Sequence, residues 1–276
     1  MMLSAAERES YRRDGFLFPL QAMSAGEAAG YRRSLEGLET QLPGGKAGFR
    51  AQLNYPHLLA GFADALIRHS AILDAVRSIL GPDLLVWGAT FFIKEPHTES
   101  FVSWHQDLRY WGLSNPEGLV SAWLALGPVT RANGCMRFVP GSHHGGLLTH
   151  EDHQDATNIL TRGQTVAMAV DEENTVAVEL EPGQFSLHHG RLLHASAPNR
   201  SDERRIGLAI NYIAPSVSQT LAETDFATLV SGEDRYGHFE LMPAPEEDLS
   251  EAALACHARV LAAQSEIVFD GAAAKQ

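Results

Sequence analysis

The sequence predicts a mainly β protein with flanking helices, built on a double-stranded β-helix (jelly roll, cupin-like) core. Two observations predict it, and a third marks the candidate site. Apolar residues keep a helical period through roughly the first eighty positions. From residue 83 the pattern changes to short β-rich runs bounded by Gly, Pro and Asn. Within those runs, Trp104-His105-Gln106-Asp107 is answered about ninety residues later by His194 and then Arg205. The expected organisation is one domain over 1–276, with a helical layer to about 82, a β core over about 83–215 and a helical and turn extension over about 216–276.

Each element has a local reason. Ser4 and Glu7 form a capping box for a first short helix, and Ser24 opens a second that runs towards Thr40 before Leu42-Pro43-Gly44-Gly45 breaks it. Over 62–80, Leu66, Ile67, Ile72, Leu73, Val76 and Leu80 keep a helical period that Gly81-Pro82 stops. Strands are expected over 84–93, 119–126, 135–139, 176–180, 184–189 and 205–213. The polar, weakly periodic stretch 148–175 reads as an excursion over the barrel mouth, with His150 to His153 a solvated loop. The last sixty residues read as a short helix, turns and a final helix over about 249–264.

Composition bounds the function. Lys and Arg number 21 against 34 acids, a formal net charge of −13. That disfavours nucleic acid, which is held by basic patches on its phosphates. Two cysteines, Cys135 and Cys256, imply no disulfide framework and fit a reducing compartment. The start lacks a signal-peptide pattern and no apolar run reaches the roughly 20 residues of a membrane span. The expectation is a cytoplasmic protein, monomer or homodimer, acting on a small molecule.

His105 and Asp107 carry the chemistry. On an extended strand residues i and i+2 point the same way, so both reach one metal ion, and a distant histidine completes a 2-His-1-carboxylate set with open positions for a co-substrate and O2. The residues alone leave the distal ligand open between His194 and His188 or His189. All-nitrogen-and-oxygen ligands suit Fe(II) better than structural zinc. Arg205 offers a planar fork for a carboxylate; alternation puts Arg204 on the opposite face, so one of the two lies in the barrel and the other in solvent.

The order Phe91-Phe92-Ile93-Lys94-Glu95-Pro96, Trp104-His105-Gln106-Asp107, Ser121-Ala122-Trp123, Asn133-Gly134-Cys135-Met136, Val139-Pro140-Gly141-Ser142-His143 and His194-Ala195-Ser196-Ala197-Pro198-Asn199-Arg200-Ser201, then Arg204-Arg205, resembles the phytanoyl-CoA dioxygenase family of 2-oxoglutarate-dependent oxygenases over roughly 10–215. Tyr11 to Leu17 is similar to that family's opening. The resemblance implies the same β-helix fold. It also implies a metal site of His105, Asp107 and His194, because the family places Ser two residues and Arg eleven residues beyond its distal ligand, as Ser196 and Arg205 stand here. It further implies Fe(II), with 2-oxoglutarate and O2 as co-substrates and ascorbate as a stimulant, and hydroxylation of an aliphatic C–H with release of succinate and CO2. Halogenating relatives carry a small residue where Asp107 stands, so a carboxylate there favours hydroxylation. Arg205, Ser196, Trp123, Thr90 and Gln52 fall on co-substrate positions. The family spacing selects Arg205 for the barrel and leaves Arg204 to solvent. Trp104, Tyr110, Trp111 and Lys94 flank the His-x-Asp segment as pocket candidates; the three aromatics together suggest a cation cage, whereas Lys94 reads as packing. The alternatives are a non-catalytic metal-binding β-helix protein, desaturation or cyclisation of a natural-product scaffold, and hydroxylation of an acyl-CoA.

Overall fold

The computed structural model describes residues 2–41, 53–152, 155, 157–160 and 164–268. Helix Ala5–Asp14 starts at the expected box: the Ser4 hydroxyl accepts from the Glu7 N–H while the Glu7 carboxylate accepts from the Ser4 N–H at 2.7 Å. Ser24 and Glu27 repeat the device before helix Ala25–Gln41. The period over 62–80 is two helices, Gly61–Ile67 and Ser70–Leu80, rather than one. No proline or glycine marks the break. The chain leaves the helical region at His69 (φ −59°, ψ 122°), where Arg68 reaches Asp64 and donates to the Leu229 carbonyl at 2.8 Å.

The strands in chain order begin with β1 Phe16–Gln21, β2 Leu84–Lys94, β3 Val102–His105, β4 Leu119–Ala125 and β5 Met136–Phe138. The short pair β6 His150–Asp152 and β7 Gln164–Val166 follows, then β8 Val176–Val178, β9 Gln184–His189, β10 His194–Ser196 and β11 Arg205–Ile213. The C-terminal part adds β12 Phe226–Ser231 and β13 Glu240–Leu241 before helix Glu251–Val268. A seven-stranded sheet runs β1-β9-β4-β11-β2-β12-β13 and a four-stranded sheet runs β3-β10-β5-β8. Two such sheets with flanking helices are the expected jelly-roll core.

Three departures have physical reasons. β1 was expected to be helical; it is an edge strand, the place where its Pro19 costs no ladder bond. β12, with Thr228 and Ser231 among its six residues, is too short to distinguish strand from helix by period. The excursion over 148–175 is not simply solvated: β6 and β7 pair, and the His150 ring accepts from the Gln106 N–H at 3.1 Å. The helical layer buries Leu66, Ile67, Ile72 and Val76 with Leu124, Ile206 and Ile210 of the large sheet. That core fixes one face of the large sheet. The other face and the small sheet enclose a cavity of about 270 Å³.

Candidate active site

His105 closes β3, His194 opens β10, and the two pair directly across the small sheet with ring centroids 4.1 Å apart. Asp107 joins them, though not on a continuing strand as expected. β3 ends at His105 and Asp107 is the first residue of a 3-10 turn, Asp107–Tyr110. The alternation survives because Gln106 between them stays extended (φ −119°, ψ 125°). Its buried amide donates to the Arg191 carbonyl and accepts from the Leu148 N–H, each at 2.8 Å. Ligand atoms of His105, Asp107 and His194 all lie within 4.8 Å of one another.

Their chemistry is set by the next layer. The Nδ1 atoms of His105 and His194 face the carbonyls of Ser103 and Leu192 at 2.8 and 2.9 Å. A carbonyl only accepts, so Nδ1 carries the proton and the Nε2 lone pair is left for a metal. Burial, then the neighbouring His105, drags the His194 imidazole down to about 3, which keeps it neutral. Asp107 Oδ1 faces His105 Nε2 at 3.3 Å and His194 Nε2 at 3.6 Å, while Oδ2 accepts from Ser121 at 3.2 Å and sits 3.3 Å from His188 Nε2. His188 therefore braces the carboxylate's second oxygen. His189 turns elsewhere, 3.5 Å from Glu117.

Arg205 is 1% exposed. It donates to the Gly134 carbonyl at 2.6 Å, lies 5.2 Å from the centre of the Trp123 ring and leaves Nε without a partner. No carboxylate pairs with it among the described residues, and burial pulls its guanidinium down to about 10. Two glycines make this possible. Gly134 has φ +78° and a Cβ there would lie 2.1 Å from the Ala197 oxygen, while a Cβ on Gly207 would lie 1.9 Å from the Trp123 ring. Arg204 corrects the expectation of a solvent face: its side chain is 9% exposed, held by Glu39 of helix Ala25–Gln41 and by Glu95 at 2.8 Å. Alternation gave the direction; the helical layer already covers that face.

Lys94, paired with Arg205 across β2 and β11, does not line the cavity. Its Nζ donates to Ser196 Oγ at 2.7 Å and to the Ser196 and Ala197 carbonyls. Three acceptors around Nζ match the three N–H groups of the ammonium form, against burial and then nearby Arg205, which bring the amine down to about 6. With Oγ accepting from Lys94, the Ser196 hydroxyl proton is free for a ligand. Thr90 lines the cavity but spends its proton on Asn54 Oδ1 at 3.0 Å. Trp111 lines the cavity, whereas Trp104 stands outside it, with Arg137 5.9 Å over its ring. The expected cage of Trp104, Tyr110 and Trp111 therefore does not form around the cavity. Gln52 and the Tyr110 side chain lie outside the described residues.

Sequence reading missed Trp87, Gln264 and Asn211, which also line the cavity. Gly88 pairs with Asn211 and Val86 with Tyr212, so Trp87 is the extra residue of a β-bulge, which re-aims a side chain in a way no periodicity shows. Gln264 arrives from the final helix, and nothing local in its sequence indicates the fold-back.

The profile of the phytanoyl-CoA dioxygenase (PhyH) family matches residues 11–207. The chain belongs to the phytanoyl-CoA dioxygenase family. A Caenorhabditis elegans protein named "Probable phytanoyl-CoA dioxygenase" is 27% identical over 186 residues, 62% of this chain and 60% of that one. The L-proline trans-4-hydroxylase of Streptomyces griseoviridis is 25% identical over 226 residues, 73% and 83% of the two chains. The chain spans about three-fifths or less of several curated relatives, for example 43% of the bovine peroxisomal phytanoyl-CoA dioxygenase. Among solved structures, the non-heme monooxygenase ThoJ in its apo form superposes with a TM-score of 0.85 at 38% identity, covering 95% of this chain and 97% of ThoJ. A ThoJ–Ni complex superposes with a TM-score of 0.77 at 37% identity, covering 94% and 97%. Among the described residues no helix is long and apolar enough to cross a membrane.

Proposed function

We propose that this chain is an Fe(II)- and 2-oxoglutarate-dependent dioxygenase that hydroxylates an aliphatic C–H of a small metabolite, with release of succinate and CO2. One observation carries the reading: two histidine Nε2 atoms and a carboxylate converge in the same cavity as a buried guanidinium that, among the described residues, has no acid partner. The donor set contains no thiolate and is the one open Fe(II) sites use. The unpaired Arg205 Nε is what a carboxylate-bearing co-substrate would satisfy.

His105, Asp107 and His194 would hold the iron, which supplies activation of O2 when bound. The protein's own work is positional. Ser103 and Leu192 carbonyls fix the imidazole tautomers; Ser121 and His188 occupy one Asp107 oxygen and leave the other to the metal. Arg205 and the Ser196 hydroxyl would take the distal carboxylate of 2-oxoglutarate, with Trp123 walling the guanidinium and Lys94 fixing Ser196. A cavity of about 270 Å³ suits a small substrate, in keeping with the relative that hydroxylates L-proline.

The test is succinate release from 2-oxoglutarate with Fe(II) and ascorbate, screened against small metabolites. Slow turnover alone and faster turnover with a fitting metabolite are expected. Absence of succinate in every condition, with metal bound, contradicts the reading and favours a non-catalytic metal-binding protein.

A further inference from the structure

The register of β11 separates two ends of the cavity. Arg205 pairs with Lys94 at one end, and Asn211 pairs with Gly88, beside Trp87, six residues on, roughly 20 Å along the strand. At this second end Asp225 is 1% exposed and accepts from four N–H groups. These are Trp87 Nε1 at 2.7 Å, Gln219 Nε2 at 2.7 Å, Gln264 Nε2 at 2.5 Å and its neighbour Phe226 N at 2.7 Å. Four donors and, among the described residues, no acceptor partner suit the ionised form, although burial pushes the carboxyl up. Among the described residues no basic side chain pairs with it.

Asp225 fixes the groups in front of it. An ionised carboxylate only accepts, so the Gln264 amide must turn its NH2 towards Asp225 and its Oε1 away. Gln264 is 4% exposed and lines the cavity, and among the described residues its Oε1 has no hydrogen-bond partner. A buried acceptor without a donor costs stability that a ligand N–H would recover. Beside it the Trp87 and Trp111 rings lie 5.0 Å apart, both lining the cavity. Indole faces attract cations, and donation from Trp87 to a carboxylate enriches its ring further. Gln219 links Asp225 to the Trp111 carbonyl at 3.0 Å, and Trp111 closes the turn that begins at Asp107, so this end is tied to the metal-ligand turn.

We propose that the Trp87, Trp111 and Gln264 end of the cavity binds a cationic, N–H-bearing head group of the primary substrate, such as an ammonium, amidinium or imidazolium. The assignment of that head group to the substrate rests on the oxygenase reading; the binding preference itself does not. Aromatic faces supply the attraction, Gln264 Oε1 accepts the N–H, and the Asp225 charge behind them disfavours anions. An acyl-CoA or a free carboxylate head at this end is thereby disfavoured.

Benzamidinium, benzamide and benzoate share a shape and differ in charge and donors. Each is titrated into protein loaded with Fe(II) and 2-oxoglutarate without oxygen, read by calorimetry and indole fluorescence. Benzamidinium should bind about tenfold or more tighter than benzoate, with benzamide between, since a cation over indole with one recovered hydrogen bond is worth at least about 1.4 kcal/mol. Gln264→Met and Trp111→Leu should each narrow the gap several-fold. Equal affinities, a preference for benzoate, no detectable benzamidinium binding, or a gap unchanged in both variants overturns the proposal. The visible charge-transfer band of bound iron and 2-oxoglutarate is recorded on the same samples. A band without the cation preference removes the head-group proposal alone; the preference without a band removes the oxygenase reading alone.

Discussion

Arg205 at the start of β11 and Asp225 just before β12 are equally buried, each 1% exposed, and differ in sign and in company. Arg205 spends one donor on a backbone carbonyl and leaves Nε unpaired; Asp225 is surrounded by four donors. A buried charge left short of partners is costly unless something else completes it, so Arg205 reads as a ligand-binding group. A buried charge fully hydrogen-bonded by its own protein reads as a positioning residue that acts through what it holds. The cluster of His105, Asp107 and His194 lies in the same cavity as both ends.

The largest effects test the centre that both ends serve. His105→Ala, Asp107→Ala and His194→Ala should each abolish succinate release while circular dichroism stays native, and double variants should lose no more, because the three act as a unit. Activity retained in His194→Ala and lost in His188→Ala would move the distal ligand to β9.

Next comes the contrast itself. Arg205→Ala should raise the KM for 2-oxoglutarate about a hundredfold or more, from roughly 3–5 kcal/mol for a broken buried pair at about 1.4 kcal/mol per decade, and leave Tm unchanged or higher. Arg205→Lys keeps the charge, loses the fork and should remain strongly impaired. Asp225→Ala should do the reverse: it strands several buried N–H groups at about 1–3 kcal/mol each, so Tm falls sharply. Arg204→Ala should lower Tm, since Glu39 is left buried, with little change in KM. Comparable KM effects in Arg204→Ala and Arg205→Ala would dissolve the distinction.

Gly207→Ala is a finer probe of the Arg205 end. The added methyl meets the Trp123 ring, which has to move off the guanidinium. Weaker 2-oxoglutarate binding with unchanged metal affinity is expected; equal loss of both would mean that the whole sheet shifts.

A separate effect, read on stability alone, is a pH dependence of the metal-free protein. His57 and His194 are held near about 3 and His189 near about 4, all below the ordinary value of 6.5, with burial the main cause. The unfolded chain then binds more protons than the folded one below about 6.5. Stability is complete above that pH and falls as pH drops towards 4, by at most about 1.4 kcal/mol per unit for each histidine. Chemical denaturation between pH 7 and 4.5 checks the slope; stability that is flat or rises on acidification contradicts it.

How much of this was legible follows from its physical origin. His105, Asp107, His194, Ser196 and Arg205 sit in short segments whose spacing is local, and strand alternation brings them to one cavity even where β3 gives way to a turn at Asp107. The second end was not legible. Trp87 faces the cavity through a bulge, Gln264 arrives from the last helix, and Asp225 joins them over 138 and 39 residues of chain. Arg204 failed for the same reason: the covering helix, not the strand, decides whether a face meets water.

The most direct test of the central claim is an anaerobic titration of 2-oxoglutarate into the Fe(II)-loaded protein, followed in the visible range, for the native chain and for Arg205→Ala. A charge-transfer band that saturates in the native protein and needs about a hundredfold more 2-oxoglutarate in the variant is the predicted result. A native protein that shows no band and binds zinc tightly instead, or a variant that saturates at the native concentration, would contradict the account.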